Sequence, residues 1–569
     1  MMLRWEKIIF TLAVFAPVFL FISVAHAASV GDQRSFFVNP KYDKYARTSL
    51  AATLKYTSNH AYFYVDNNYW STLSAGHQGF LNNAILDLAK EFDDNIYPKE
   101  VKFWGSEPNP GVDNDPRIVI LLEEMTQTSG GYFETANGYS KKEASSSNEA
   151  EMIALNVEVL VANVAYIKIF IAHEFQHLIS FNHKDLLRGL FEDFWLNELR
   201  SEYSVSLTGL NDSYSSSNLK RRVDVFLAEP SDSLTEWPNK SLDYGVVNMF
   251  GQYLVDQYGP EILSETLQGP LVGIASINKF LESKNAAERF EDIFADWMVA
   301  LNLNDRSVGN RYGYLHPELR NIKVGPTTRS YFYNNYSDFI GGVSVKNWQP
   351  AWSEFDIEAP ADKSVKIAFF GESNQNFIVS YVVYYSNGSP EVRRVRLIDG
   401  SGTVYIANGS KKIDRIVVAA TNGRQVVGFN SIDQARSLSI KLSFVEAKDI
   451  REATLKDGML IKRPNEKEIY VIWGKYKRYL VPGIFSLYGH LNPADALEVG
   501  PEVFDSYQTS NYIKYVDDEK VYAVWPDGTK HWLNITAKQW DASSRDWGAI
   551  FTINDLERKY YITGSDITR

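Results

Sequence analysis

The spacing of apolar positions changes character twice along this chain, dividing it into three stretches with different expected architecture. Up to about residue 325 strand and helix periods are mixed. Residues 60–65 alternate as a half-buried strand, 79–92 carry apolar side chains at helical spacing, and 117–122 form the short apolar run of a buried strand. Residues 152–159 read as another strand. Beyond it Val164, Ile167, Phe170, Ile171, Phe175, Leu178 and Ile179 recur at helical spacing with no Gly or Pro between them, which predicts a buried helix. Further amphipathic helices are expected over 195–203, over 246–258 with Gly259-Pro260 as the stop, and over 286–302.

From about 327 to 448 the texture becomes short alternating runs at 365–370, 377–385, 392–397 and 438–444. The turn pairs Asn387-Gly388, Asp399-Gly400 and Asn422-Gly423 punctuate them, a pattern that predicts a β-sandwich. The last stretch repeats itself at an offset near 52: Leu460-Ile461-Lys462 recurs as Tyr512-Ile513-Lys514, and Ile469-Tyr470-Val471-Ile472-Trp473 as Val521-Tyr522-Ala523-Val524-Trp525. Two copies are too few for a solenoid and predict a pair of small β-rich units. Their aromatic residues are read first as core. The competing expectation is a cell-wall or polysaccharide-binding face built from Trp473, Trp525 and Trp532.

At 569 residues the chain exceeds one core, and 45% hydrophobic with 22% charged residues is ordinary for globular protein. Arg4 and Lys7, an apolar run over 8–24 and Ala25-His26-Ala27 form the pattern of a secretory signal peptide over 1–27. The mature chain is therefore expected to be secreted. It has no cysteine, so its stability must come from large cores or bound metal, and export without disulfides suggests a bacterium. A net charge of −12 argues against nucleic acid as a partner.

The candidate chemistry lies in His173-Glu174-Phe175-Gln176-His177. On a helix the two histidines share one face, so both imidazoles can reach one metal ion beside Glu174. Zinc in a hydrolytic site takes three protein ligands and lowers the pKa of its water to about 7. Glu198, in Trp195-Leu196-Asn197-Glu198, is the expected third ligand, far enough from His177 for a loop and a returning helix. Glu174 is the expected general base. Glu202, one turn beyond Glu198, is placed to accept the outer ring proton of a ligating histidine; the alternative is a solvated helix carboxylate. Asp113-Asn114-Asp115, with Asp93 and Asp94, are candidate Ca2+ ligands, against the reading of a solvated acidic turn.

His173 to Ile179, Trp195 to Glu198 and the acidic Glu202 together resemble the glutamate-ligand zincins, which include thermolysin, and within them the hyicolysin-type secreted peptidases of bacteria. Phe103-Trp104-Gly105-Ser106-Glu107, Gly130-Gly131-Tyr132-Phe133 and Ser147-Asn148-Glu149 are similar too, so the likeness covers the first half of the chain. It departs at Leu199, where a small residue is common. The resemblance implies an α+β thermolysin-like zincin domain over 28–325; with the β-sandwich over 326–448 and the tandem repeats over 449–569 read from their own patterns, the chain is expected to be multidomain. The resemblance implies a zinc metalloendopeptidase acting on protein or peptide substrates, with Tyr244 as the oxyanion donor and His183 and Tyr203 as rivals. It also implies that 152–157 is the sheet edge that pairs with extended substrate. The competing expectation is a surface adhesin whose zincin domain is structural or inactive, and a third reading keeps the zinc but hydrolyses another bond.

Overall fold

A computed structural model describes residues 28–568 apart from 128, 361, 396, 398, 409–411, 425–432, 447–454, 456, 464–465, 500, 516–517 and 544. The expected signal peptide and the expected boundary at 448–449 lie outside the described residues. The chain separates into two compact units, one formed by residues up to 89 with 108–162 and the other by 90–107 with 163–569. Among the described residues no helix is long and apolar enough to cross a membrane.

The first unit is built on a six-stranded sheet of β1 (Gln33–Phe37), β2 (Ser49–Thr57), β3 (Ala61–Asp66), β4 (Ile118–Glu123), β5 (Gly131–Phe133) and β6 (Met152–Asn156), in the order β1-β2-β3-β4-β6-β5. The runs read as strands at 60–65 and 117–122 form β3 and β4, which are parallel and buried at every position. Parallel strands covered on both faces need such near-continuous apolar sequence. Phe36, Leu54, Tyr64, Leu121 and Ala154 pack in one core over this sheet.

The expectation for 152–157 is corrected here. β6 is interior, parallel to β4 on one side and antiparallel to β5 on the other, and Val157 already begins the helix Val157–Ala162. The edge on that side of the sheet is β5, from the Gly131-Tyr132-Phe133 motif, and the other edge is β1. Order along the chain did not predict order in the sheet, because β6 inserts between two strands that precede it in sequence.

In the second unit the helices are Val164–Phe181, Phe194–Leu207, Asn218–Ala228, Ser241–Tyr258 and Phe290–Leu303, of which all but Asn218–Ala228 follow from the period-3.6 runs. Asn163 caps the first, its side chain accepting from Tyr166 N, and Ser217 caps the third through Lys220 N. Gly251 lets Ser241–Tyr258 lie close against Phe194–Leu207, since a Cβ there would stand 3.0 Å from Leu199 Cδ2. The bulk of Leu199 is thus matched by a glycine on the facing helix.

The β-sandwich consists of two sheets. One has β8 (Asp338–Val345), β10 (Lys363–Phe370), β13 (Ser401–Ile406) and β15 (Arg436–Glu446) in the order β13-β10-β15-β8. The other has β7 (Thr328–Phe332), β9 (Ala351–Ile357), β11 (Phe377–Tyr385), β12 (Gly388–Val395) and β14 (Ile413–Asn422) in the order β12-β11-β14-β9-β7. Alternate residues of both, among them Val365, Ile367, Phe369, Val379, Tyr381, Val418 and Ile440, share one core. Trp348 and Trp352 tie the sandwich to Phe290–Leu303. The Trp348 ring centroid lies 4.8 Å from that of Phe290, and Trp352 Nε1 donates to Met298 O at 2.9 Å. Arg394 adds a half-buried link, with Nη2 donating to Asp296 Oδ1 at 2.7 Å and Nη1 to Asp292 Oδ1.

The repeat is structural as well as sequential. The first copy is an antiparallel meander of Leu460–Lys462, Ile469–Trp473 and Tyr476–Leu480, flanked by Leu497–Glu498 and Gln508–Thr509 in parallel pairing. Tyr512–Tyr515, Val521–Val524, Thr529–Trp532, Ile550–Ile553 and Ile562–Thr563 reproduce that order and pairing. Equivalent buried lysines do equivalent work: Lys477 Nζ donates to Phe504 O at the end of Pro501–Ser506, and Lys530 Nζ to Arg558 O in Asp555–Tyr560. Leu460, Ile469 and Leu480 share a core with Ile513, Phe551 and Ile553, so the copies pack as a pair. Reading the aromatic residues as core is corrected at Trp473 and Trp525, which are 41% and 47% exposed, while Trp532 is half-buried beneath Lys520. Both exposed rings sit at the hairpin tips of their copies, where the Trp525 ring still stacks on His531 with centroids 3.8 Å apart.

Candidate metal centre

His173 and His177 lie one turn apart on Val164–Phe181 with their Nε2 atoms 3.2 Å from each other. Glu198, on Phe194–Leu207, brings Oε2 to 3.2 Å from His173 Nε2 and 3.5 Å from His177 Nε2. These three are the group among the described residues whose ligand atoms converge closely enough to hold a metal ion. Glu198 Oε2 is buried without a hydrogen-bond partner, as expected of a carboxylate oxygen reserved for a cation.

The loop that returns the chain from His177 to Glu198 is held by buried charges. Arg200 Nη1 donates to Glu192 Oε2 at 2.6 Å, and Glu192 Oε1 accepts from Gly273 N at 2.7 Å. Lys184 Nζ donates to Thr266 O at 2.8 Å and Gly269 O at 3.0 Å. Glu198 is thereby placed by charges on both sides of the loop rather than by helix propensity alone.

The outer ring nitrogens also have neighbours. Ser201 Oγ lies 3.1 Å from His177 Nδ1, and Glu202 Oε1 lies 3.6 Å from His173 Nδ1. The solvated-carboxylate reading of Glu202 is corrected, since it is buried and accepts from Arg222 Nε at 2.9 Å, Asn218 Nδ2 at 2.8 Å and Asn248 Nδ2 at 3.1 Å. Burial disfavours its charge, but Arg222 outweighs burial and holds the carboxyl below its usual range. Burial likewise opposes protonation of His177, yet Glu198 and Glu174 raise it to about 9. Burial also opposes ionisation of Glu198, and the two histidines hold its carboxyl far below the usual range. The cluster is an electrostatic well for positive charge, which a metal ion can fill in place of a proton.

Glu174 is buried on the same helix, between the two histidines. Tyr244, near the start of Ser241–Tyr258, has its ring centroid 6.4 Å from that of His173 and its hydroxyl donating to Asn239 Oδ1 at 3.1 Å. Burial, then Glu198, push its phenol well above the usual range, so it stays a proton donor. The rivals are placed elsewhere. Tyr203 packs among Phe103 and Trp104, and the His183 ring packs against Gly105. Asp113 and Asp115 are engaged in their own turn, accepting from Asp115 N and from Tyr62 OH and Arg117 N, while Asp94 pairs with Lys90.

Arg222, Asn218, Asn248 and Ser201 escaped the sequence reading. Arg222 stands in the run Lys220-Arg221-Arg222, which looks like a solvated basic face, and nothing in spacing marks an asparagine or serine as the partner of a distant carboxylate or ring.

No protein-family model and no curated protein matches the chain. Similar solved structures include a surface-associated copper-binding protein of Methylomicrobium album BG8, at 10% identity and TM-score 0.16, covering 21% of this chain and 100% of that one. The pre-peptidase C-terminal domain of a Bacillus anthracis collagenase is similar at 9% identity and TM-score 0.14, over 21% of this chain and 97% of that one. A periplasmic inhibitor of g-type lysozyme from Aeromonas hydrophila is similar at 12% identity and TM-score 0.14, over 21% and 100%. Each overlap is confined to about a fifth of this chain.

Proposed function

We propose that this chain is an exported zinc endopeptidase of the glutamate-ligand zincin type, with a thermolysin-like catalytic part of the hyicolysin kind. The observation that carries the reading is the triangle of His173 Nε2, His177 Nε2 and Glu198 Oε2, with sides of 3.2, 3.2 and 3.5 Å. Tetrahedral zinc with bonds of about 2.0–2.1 Å separates its ligand atoms by about 3.3 Å. Two imidazoles and one carboxylate leave a fourth position for the reacting oxygen, the arrangement of catalytic rather than structural zinc.

Zinc held there would supply a Lewis acid for the scissile carbonyl and would acidify the attacking water. Glu174 takes the proton from that water and returns it to the departing amine. Tyr244, protonated at any working pH, donates to the developing oxyanion after giving up Asn239. Ser201 and Glu202 orient the rings of His177 and His173 from behind.

The exposure of Trp473 and Trp525 at matching hairpin tips supports contact between the repeats and a cell-wall or surface polysaccharide. Retention of the full chain on isolated cell walls, lost in Trp473→Ala/Trp525→Ala, is the check on that contact.

The catalytic reading is tested by hydrolysis of unfolded casein by the purified chain, with Glu174→Gln and a chelator as controls. Cleavage abolished by both supports it. A zinc-loaded chain inert toward casein overturns the peptidase reading and favours an adhesin or the hydrolysis of another bond.

A further inference from the structure

We infer that Arg222 is a positioning residue of the metal centre, acting through Glu202 on His173 and by stacking on Tyr244. The inference rests on the metal-site reading above and extends it to Asn218–Ala228, a helix that carries no ligand. Arg222 is buried, and its guanidinium forks onto one carboxylate, with Nε donating to Glu202 Oε2 at 2.9 Å and Nη2 to Oε1.

The two oxygens of Glu202 are not equivalent. Oε2 also accepts from Asn218 Nδ2 at 2.8 Å and Asn248 Nδ2 at 3.1 Å, so three donors occupy it. Oε1 takes Arg222 Nη2 and is the oxygen that faces His173 Nδ1 at 3.6 Å. A saturated Oε2 leaves Oε1 as the carboxylate oxygen turned toward the imidazole, close enough at 3.6 Å for its charge to favour the proton on Nδ1. A proton there leaves the Nε2 lone pair free on the side of Glu198 Oε2 and His177 Nε2. A bidentate guanidinium fixes the plane of the carboxylate as well as its charge, which an ammonium does not.

The same guanidinium lies with Cζ 4.5 Å from the centroid of the Tyr244 ring. That separation is a cation–π contact between buried Arg222 and half-buried Tyr244, and it orients the phenol on the His173 side. One side chain therefore braces both a ligand and the proposed oxyanion donor. Loss of the fork is expected to weaken metal binding and to lower kcat more than it raises KM, because ligand geometry and oxyanion donation matter most in the transition state.

The test measures Zn2+ affinity by chelator competition and the visible absorption of the Co2+-substituted chain. The proteins are wild type, Arg222→Met, Arg222→Lys, Glu202→Gln and the double variant Glu202→Gln/Arg222→Met, with thermal melting as the fold control. Zn2+ affinity is expected to fall about 10- to 100-fold in Arg222→Met and in Glu202→Gln, and by about threefold to tenfold in Arg222→Lys. The Co2+ bands should shift in all of them. The double variant should be no worse than the weaker-binding single one, because Arg222 acts through Glu202. Should Arg222→Met fail to fold, Arg222→Lys, which keeps the buried charge, carries the test. Folded Arg222 variants with wild-type affinity and an unshifted Co2+ spectrum overturn the inference alone, as do losses that simply add. A wild-type chain that takes up neither ion overturns the metal reading itself and this inference with it.

Discussion

Glu174 and Glu100 are both buried carboxyl groups, and their surroundings give them opposite consequences. Glu174 follows His173 on its helix, adds to the charge that raises His177, and is not itself part of the His173–His177–Glu198 group. Glu174→Gln is therefore expected to keep zinc stoichiometry at wild type while kcat falls by about 10²- to 10⁴-fold, read from casein hydrolysis and metal analysis on one preparation. Glu100, on Tyr97–Trp104, is held far above the usual carboxyl range by burial, with neither carboxyl oxygen hydrogen-bonded. The folded chain keeps that proton while the unfolded chain releases it above its ordinary pKa near 4.5. Stability from this group is thus complete below that pH and is lost as pH rises, by about 1.4 kcal/mol per pH unit at most. Glu100→Gln should raise the melting temperature at pH 8 and leave it nearly unchanged at pH 4; equal shifts at both would show that charge is not the cause.

The elements that place His173, His177 and Glu198 are joined by one close approach and one buried ion network. Gly251 faces Leu199, the residue after Glu198, so a branched side chain there presses on the helix that carries Glu198. Gly251→Val is expected to cost about 1–3 kcal/mol by overpacking and to weaken zinc binding, and Leu199→Ala in the same chain should recover part of both. Glu192 sits between Arg200 and Lys184, which pairs with it at 3.7 Å. Glu192→Ala strands two buried cations, a loss of about 3–5 kcal/mol that urea unfolding would register. A Glu192→Ala chain as stable as wild type would show that the loop is held by its backbone contacts alone.

For the molecule as a whole, the sandwich belongs with the helices of the second unit rather than behaving as an independent appendage. Trp348, Trp352 and Arg394 meet Phe290–Leu303, so ending the chain at 325 exposes Phe290 and Phe294 and leaves Asp292 and Asp296 without their guanidinium. Residues 28–325 alone are expected to aggregate or to lack near-UV circular dichroism. Residues 28–446 keep those contacts and should fold and retain casein hydrolysis, because the repeats have a core of their own.

Periodicity along the chain was enough for the elements whose pattern is local. The helix of His173 and His177, the alternating strands of the sandwich and the duplicated meander follow from spacing, because a side chain's face on a helix or strand depends on its neighbours in sequence. The same spacing brought Glu198 into view, since two imidazoles on one face call for a third ligand at loop-and-return distance. What packs against what depends on long-range pairing, and there only the tertiary structure decided. It put β6 inside the sheet and β5 at its edge, turned Trp473 and Trp525 outward, and joined the sandwich to the helices. It also set Arg222, Asn218 and Asn248 around Glu202, for a buried ion pair is recognised by the partner that folding brings to it, and no residue carries that partner in its own sequence neighbourhood.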